Sequence, residues 1–183
     1  MRRSLIVFIA AVLAFVSALI WFASVAPAKV PAHYNLSGEV DLWDSRTGFL
    51  ASIGGGGFAV IAIFAGLAVL LPRLPAKWIN VPSRRGHDYW TSPKHRPELN
   101  RIMATSMDFV GGAVALLFTS IVVNVGLDAR GTSMPGWVFV AVLVAMLCTI
   151  FGTVVYIFMR TRAPHGQGPG TPGQRRPRRG SAK

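Results

Sequence analysis

Apolar residues fall into four long blocks along the chain, and polar segments separate these blocks from one another. The blocks cover residues of about 4–25, 49–71, 107–127 and 137–159. A helix needs about 20 apolar residues to cross the hydrocarbon core of a bilayer, and a backbone surrounded by lipid must pair its polar groups within its own segment. The pattern therefore predicts an all-α integral membrane protein, a bundle of four transmembrane helices.

The composition agrees with this fold class. Of the residues, 52% are hydrophobic and only 14% are charged, which is too apolar for an ordinary soluble domain. Residues 1–162 form the predicted membrane domain. The remaining segment, 163–183, is rich in Pro, Gly and Arg and has almost no apolar residue, so we expect a disordered basic tail there.

The first apolar block could instead be a secretory signal peptide. Arg2 and Arg3 would form its charged start, and Ala26-Pro27-Ala28 resembles a cleavage site. However, the apolar run has 22 residues, whereas the apolar region of a signal peptide has about 7–15. We expect the first block to be a retained transmembrane helix.

Basic residues are distributed unevenly between the loops. Loop 73–105 and tail 160–183 carry seven Lys or Arg residues each, whereas 26–48 has more acids than bases and 128–136 is balanced. Because basic loops stay in the cytoplasm, we expect a multi-pass protein of the cell membrane with both termini and loop 73–105 in the cytoplasm and loop 26–48 outside.

The formal net charge of +12 points first to the bilayer as a partner. Basic loops and tails are attracted to anionic lipid headgroups, so we expect this contact at loop 73–105 and at the tail. The run Arg175-Arg176-Pro177-Arg178-Arg179 also resembles a nucleic-acid-binding patch. We expect no specific nucleic acid partner, because topology already explains the charge.

Loop 26–48 is the first candidate for a specific function. Pro27 and Pro31 prevent a helix from running through it, and the segment from Asn35 to Gly38 has turn composition. We expect a loop that folds back on the outer face, with Tyr34, Leu36 and Trp43 directed towards the lipid headgroups.

Six residue types at fixed spacing mark this loop: Pro31, His33, Tyr34, Asn35, Gly38 and Asp41. The segment Val30-Pro31-x-His33-Tyr34-Asn35-x-x-Gly38-x-x-Asp41 resembles the Ile-Pro-x-His-Phe-Asn-x-x-Gly-x-x-Asp signature of a bacterial membrane family of unknown function. The same module occurs in the immunity proteins against the sporulation-delaying toxin. The resemblance covers about residues 4–70. It implies a multi-span membrane protein that acts in sensing or binding at the envelope.

The chemistry of this loop allows several interpretations. His33, Glu39, Asp41 and Asp44 could hold Zn or Mn, and His33 with Asp41 could act as a general acid and base. Alternatively, His33, Asn35 and Asp41 could satisfy the loop backbone and cap the second helix, or the loop could bind a peptide or a lipid headgroup. One histidine with three scattered carboxylates does not match a known metal-ligand spacing, and no nucleophile lies beside His33 and Asp41 in the sequence. We therefore expect no catalytic residue, no metal and no cofactor.

Loop 73–105 is the second candidate, through Asn80, Pro82, Tyr89, Trp90 and Pro93. Its Ile-Asn-x-Pro and Tyr-Trp-x-x-Pro segments are similar to those in short members of the same family. Aromatic side chains beside basic ones are typical of anchoring at the inner interface. Docking of a cytosolic protein is the alternative, so a protein partner is possible at either loop.

Polar residues within the predicted spans are few. Asp108 lies near the cytoplasmic end of the third span, where we expect an ion pair at the interface with Lys77, Arg73 or Arg101. Asn124 lies near the outer end and could bond to another helix. The chain is thus predicted to be a non-catalytic protein for envelope sensing, immunity or binding. The alternatives are a small transporter or transporter subunit and, more weakly, a membrane-embedded metal enzyme.

Overall fold

A computed structural model describes residues 2–35, 39–81, 84–132 and 134–162 of the protein. Gly38, Pro82 and the predicted disordered tail 163–183 lie outside the described residues. The elements in chain order are α1 (Arg3–Val25), β1 (Lys29–Tyr34), β2 (Val40–Ser45), α2 (Arg46–Phe49), a π-helical turn (Leu50–Gly54), α3 (Gly55–Leu70), two 3₁₀ turns (Leu71–Arg73 and Ala76–Trp78), α4 (Arg84–Thr91), α5 (Arg96–Asp128) and α6 (Gly136–Arg160).

Within the described residues, four helices are long and apolar enough to cross a membrane. They are Arg3–Val25, Arg46–Arg73, Arg96–Asp128 and Gly136–Arg160. The second of these joins α2, the π turn, α3 and the first 3₁₀ turn into one continuous helical segment. The predicted all-α membrane bundle is confirmed.

Helix α5 is the centre of the bundle, because α1, α3 and α6 all pack against it. Small residues allow this close approach. At Gly111, an added Cβ would lie 2.8 Å from the Cβ of Phe64 on α3 and 2.9 Å from Cε2 of Phe8 on α1. Only a hydrogen atom fits at this position, so Gly111 lets two helices meet α5 at one level.

Helix α1 supplies the largest side chains of the core. Phe8, Phe15 and Phe22 recur every seven residues and are all buried. The Phe22 ring stacks on Phe49 with 4.7 Å between ring centres, and Phe15 lies between Phe58 and Phe118. Cleavage after residue 28 would remove these three phenylalanines, and Trp21 with them, from the bundle. The retained first helix stays a prediction, and its three phenylalanines are part of the bundle core.

Helix α6 lies at the edge of the bundle. It packs on α5, and none of its residues is buried within the described part of the chain. Two contacts hold its last turn: Arg160 pairs with Glu98 at 2.8 Å, and Trp90 Nε1 donates to the Thr161 carbonyl at 2.8 Å. Most of the surface of α6 is thus left for lipid.

The two ends of the bundle differ in their charge. At one end, β1 and β2 pair as an antiparallel hairpin beside the last residue of α5, the acidic Asp128. We call this the hairpin end. The basic end carries the first residues of α1, the start of α5 and the last turn of α6, with Arg2, Arg101 and Arg160.

Candidate functional site

Loop 26–48 forms an antiparallel β-hairpin. Lys29 pairs with Ser45 at the open end and Tyr34 pairs with Val40 near the turn, with irregular register around His33. Val30 and Pro31 are fully buried against the bundle, whereas Leu42 and Trp43 remain more than half exposed. The expected folded-back loop is therefore a strand pair that lies on the ends of the helices. Leu36 lies outside the described residues.

His33 and Asp41 bond to each other across the hairpin. The distance from His33 Nδ1 to Asp41 Oδ1 is 2.6 Å, and both side chains are largely exposed. The proposed cap of the second helix comes instead from Ser45, whose Oγ accepts a hydrogen bond from the Gly48 N–H at 2.9 Å. The hypothesis that His33 and Asp41 serve the backbone and the cap is thus wrong. Ser45 is adjacent to the helix and reaches its first turn directly.

Asn35 has the backbone role that the turn interpretation gave it. Its Oδ1 accepts a hydrogen bond from the Glu39 N–H at 2.9 Å, and its own N–H donates to the Glu39 carbonyl at 2.9 Å. Asn35 therefore closes the hairpin turn through short-range bonds. Among the described residues, no group of three His, Cys, Asp or Glu side chains converges as ligands would.

Tyr34 links the hairpin to the bundle. Its hydroxyl donates to Asp128 Oδ2 at 2.9 Å. Burial raises the pKa of Tyr34 well above its usual range, and the hydrogen bond and negative charge of Asp128 raise it further. The phenol is thus held as a neutral donor. Sequence reasoning missed Asp128 as its partner because the two residues are far apart in the chain.

A cavity of about 510 Å³ lies between the hairpin, the start of the second spanning segment and the facing ends of α5 and α6. Two carboxylates, Asp44 and Asp128, border it, and Asn124 lies in its wall. The larger apolar side chains of its lining are Phe49, Ile53, Ile121, Val125, Met134 and Phe139. No basic side chain lines it among the described residues. It is an apolar space with a negatively charged border.

Asp108 is the one carboxylate within a predicted span, and it is buried near the basic end. It accepts a hydrogen bond from Ser4 Oγ at 2.7 Å, and Arg2 Nε lies 3.5 Å from the same oxygen. An ion pair was predicted correctly, but its partner is Arg2 and not Lys77, Arg73 or Arg101. The expected position of Asp108 at the interface was also wrong, because α1 covers this side of α5 and the Asp108 side chain is only 2% exposed.

The predicted interfacial anchoring in loop 73–105 is wrong for Trp90. Trp90 is buried, and its indole contributes to an apolar cluster with Ile79, Val81, Leu99 and Ile102. The Tyr89 ring stacks on His95 with 3.8 Å between ring centres. Asn80 and Pro93 are exposed. Trp90 thus ties the loop to the end of α6 and does not anchor in lipid.

A family model described as a domain of unknown function (DUF1648) matches residues 6–53. No curated protein and no solved structure matches the chain. The matched residues comprise most of α1, the hairpin and the start of the second spanning segment, which includes one wall of the hairpin-end cavity. The chain is therefore similar, over this part, to a domain of unknown function, and the four apolar helices give it the character of a membrane protein.

Proposed function

We propose that this protein is a non-catalytic binding protein of the cell membrane, and that its hairpin-end cavity holds the apolar group of a cationic, amphipathic ligand. The observation that carries the proposal is the cavity itself, whose lining combines apolar side chains with the carboxylates of Asp44 and Asp128. Such a space combines an apolar pocket with a few polar groups that fix orientation, as ligand sites commonly do.

The volume and the negative charge of the cavity favour a ligand that combines an apolar group with a cation. Its volume of about 510 Å³ accommodates a large side chain or a short apolar segment. Each carboxylate has several lone pairs, so Asp128 can accept a bond from Tyr34 and still bind a cation. An ammonium or guanidinium group of the ligand would form a charge-assisted hydrogen bond with one of these carboxylates, where the cavity partly excludes water.

Sensing or immunity at the envelope is the biological role that we propose for this binding. It is supported by the resemblance of the hairpin segment to the signature module of the immunity proteins, and by the surface position of the hairpin. A bound peptide would contact the hairpin first, since Leu42 and Trp43 are exposed beside the cavity.

The proposed orientation places the hairpin outside the cell and both termini in the cytoplasm. The uneven distribution of Lys and Arg between the loops supports it. Cysteine labelling tests it in a background in which Cys148, the native free cysteine of the described chain, is replaced by Ala. Exposed Trp43→Cys should react in whole cells with a membrane-impermeant thiol reagent, whereas Trp78→Cys should react only after lysis. The reverse pattern would invert the orientation.

A binding experiment tests the cavity. The probe is a fluorescent peptide of alternating Leu and Lys, added to the full chain in nanodiscs of zwitterionic phosphatidylcholine. Asp128→Asn keeps an oxygen that can accept the Tyr34 hydrogen bond but removes the charge, and should weaken binding about tenfold, as loss of a charge-assisted hydrogen bond predicts. Asp41→Asn is the matched control, because Asp41 lies on the same hairpin outside the cavity lining. Equal affinity of the two variants would contradict the proposal.

Transport is the second candidate function, and the buried carboxylate of Asp108 is the observation that favours it. A transport carboxylate must change its protonation or its partner during the cycle. Ser4 and Arg2 both contact Asp108, which suits a fixed structural group better. If Asp108→Asn abolished uptake of a cationic substrate into proteoliposomes while the protein still inserted, transport would replace binding as the function.

A further inference from the structure

We infer that the basic end carries a binding site for one anionic phospholipid, in a groove between α1, α5 and α6. Its floor is the outward face of α5 at Arg101, Thr105 and Phe109, which recur every fourth residue. This site is separate from the hairpin-end cavity and lies at the other end of the bundle.

Three adjoining cavities build the groove. One of about 590 Å³ lies between α5 and α6, and one of about 490 Å³ lies between α1 and α5. A third, of about 330 Å³, continues deeper between α5 and α6. Thr105 borders all three, so they are parts of one surface.

The cavities of about 590 and 490 Å³ form the upper part of the groove, and their side chains can bind a phosphate group. The lining of this upper part includes four arginines, of which Arg160 pairs with Glu98 at 2.8 Å and Arg2 pairs with Asp108 at 3.5 Å, so two further positive charges remain for a ligand. The four are Arg2, Arg3, Arg101 and Arg160. Guanidinium groups bind phosphate oxygens in bidentate geometry, and Thr105 and Tyr156 add hydroxyl groups that can donate to them.

The deeper part of the groove identifies the source of the phosphate. Below Tyr156 the lining changes to Phe109, Thr149, Gly152 and Thr153, and the polar fraction of its surface becomes small. Thr149 directs its hydroxyl to the Ala145 carbonyl at 2.8 Å, which removes that polar group from the surface. An acyl chain can lie along this part while its phosphate meets the arginines. A free phosphate ion would fill only the upper part.

Arg101 is the central cation of the site, because it borders both upper cavities. Its side chain is exposed, so Arg101→Gln should leave folding intact while it removes the charge. Arg73→Gln is the matched control, since Arg73 is an exposed arginine of the same end that bonds to the Val69 carbonyl outside the groove.

The acyl part of the site can be blocked separately at Gly152. Apart from its chain neighbours and the nearby backbone of its own helix, no heavy atom of the described residues lies within 4 Å of the position that a Cβ would take there. The Cβ of Gly152→Leu therefore has open space around it. Because Gly152 lines the deeper cavity, the larger residue should narrow the space assigned to the acyl chain.

The experiment measures binding of phosphatidylglycerol to the detergent-purified full chain by native mass spectrometry and by the midpoint of thermal unfolding. We expect one bound molecule, a higher midpoint than with phosphatidylcholine, and about tenfold weaker binding in Arg101→Gln, as loss of a charge-assisted bond predicts. Gly152→Leu should also weaken binding, and Arg73→Gln should not.

Each other outcome overturns the inference. Equal stabilisation by phosphatidylcholine would show that charge is not recognised, and equal stabilisation by inorganic phosphate would show an ion site without a lipid chain. An equal loss in Arg73→Gln would show unspecific attraction to the basic end. Unchanged binding in Gly152→Leu would show that no acyl chain lies in the deeper cavity. A dimer that forms without lipid and is blocked by Gly152→Leu would show that the groove is an interface between two copies.

Discussion

The hairpin end and the basic end hold their polar groups in different ways. At the hairpin end, the bonds of Asn35 with Glu39 and of His33 with Asp41 join residues 4 and 8 positions apart at the exposed surface. The half-buried bond from Tyr34 to Asp128, across 94 positions, is the long-range exception there. At the basic end, Ser4 meets Asp108 across 104 positions, and the contact is buried. Local bonds shape a segment, whereas distant buried bonds fix how helices pack. The basic end should therefore control the stability of the bundle, and the hairpin end should respond to what lies outside it.

The largest effect is expected from Asp108→Ala, which leaves Arg2 and Ser4 without their shared acceptor. Breaking a fully buried ion pair costs about 3–5 kcal/mol. Here we expect about 2 kcal/mol, because the Arg2 side chain is 35% exposed and water screens it. Denaturant unfolding in detergent measures the change. Asp88→Ala, at a side chain that is 87% exposed, is the control and should be nearly neutral. An equal loss of unfolding free energy in the two variants would show that burial of the charge does not determine its contribution to stability.

Such distant contacts could not be predicted from the sequence. Block length and charge distribution were sufficient for the four helices, and turn composition was sufficient for the role of Asn35. The spans are apolar on all faces, and a residue that faces lipid has the same chemistry as one that faces another helix. Helix α6 illustrates this, since it is among the most apolar spans and yet has no buried residue among those described. The partners of Asp108 and Trp90 depend on the packing of the helices, which local patterns do not encode.

The next largest effect is expected from Trp90→Phe, which keeps an aromatic ring but removes the donor to the Thr161 carbonyl. A hydrogen bond of this kind contributes about 1 kcal/mol. Because α5 is the main packing partner of α6, the loss should appear locally as faster amide hydrogen exchange at the end of α6. Trp78→Phe is the control, since Trp78 is 69% exposed. Unchanged exchange in Trp90→Phe would mean that the loop does not hold α6.

A smaller effect, about 1 kcal/mol, is expected from Tyr34→Phe, which removes the bond between hairpin and bundle. The pKa of Tyr34 is raised in the folded protein, so its contribution is complete below the unfolded value of about 10 and is lost as the pH rises beyond it. Hydrogen exchange of the hairpin amides between pH 9 and 11, corrected for the intrinsic rate, measures this loss. In Tyr34→Phe the hairpin should exchange faster, and the additional opening above pH 10 should disappear. If the opening persisted, another group would hold the hairpin.

The smallest effect is expected from His33, although its bond to Asp41 is only 2.6 Å long. The His33 side chain is 64% exposed and that of Asp41 is 46% exposed, and an ion pair in water contributes less than about 1 kcal/mol because solvent screens the charges. His33→Gln can still donate to Asp41 and should be almost neutral, with His33→Ala slightly worse. A metal site would behave differently, because Gln is a poor ligand and loss of a bound ion would remove its whole stabilising effect. The measurement is the unfolding midpoint with and without chelator, together with the metal content of the purified protein. Stoichiometric zinc that disappears in His33→Gln would give the hairpin a role in metal binding, and the exposed pair would then matter more than the buried one.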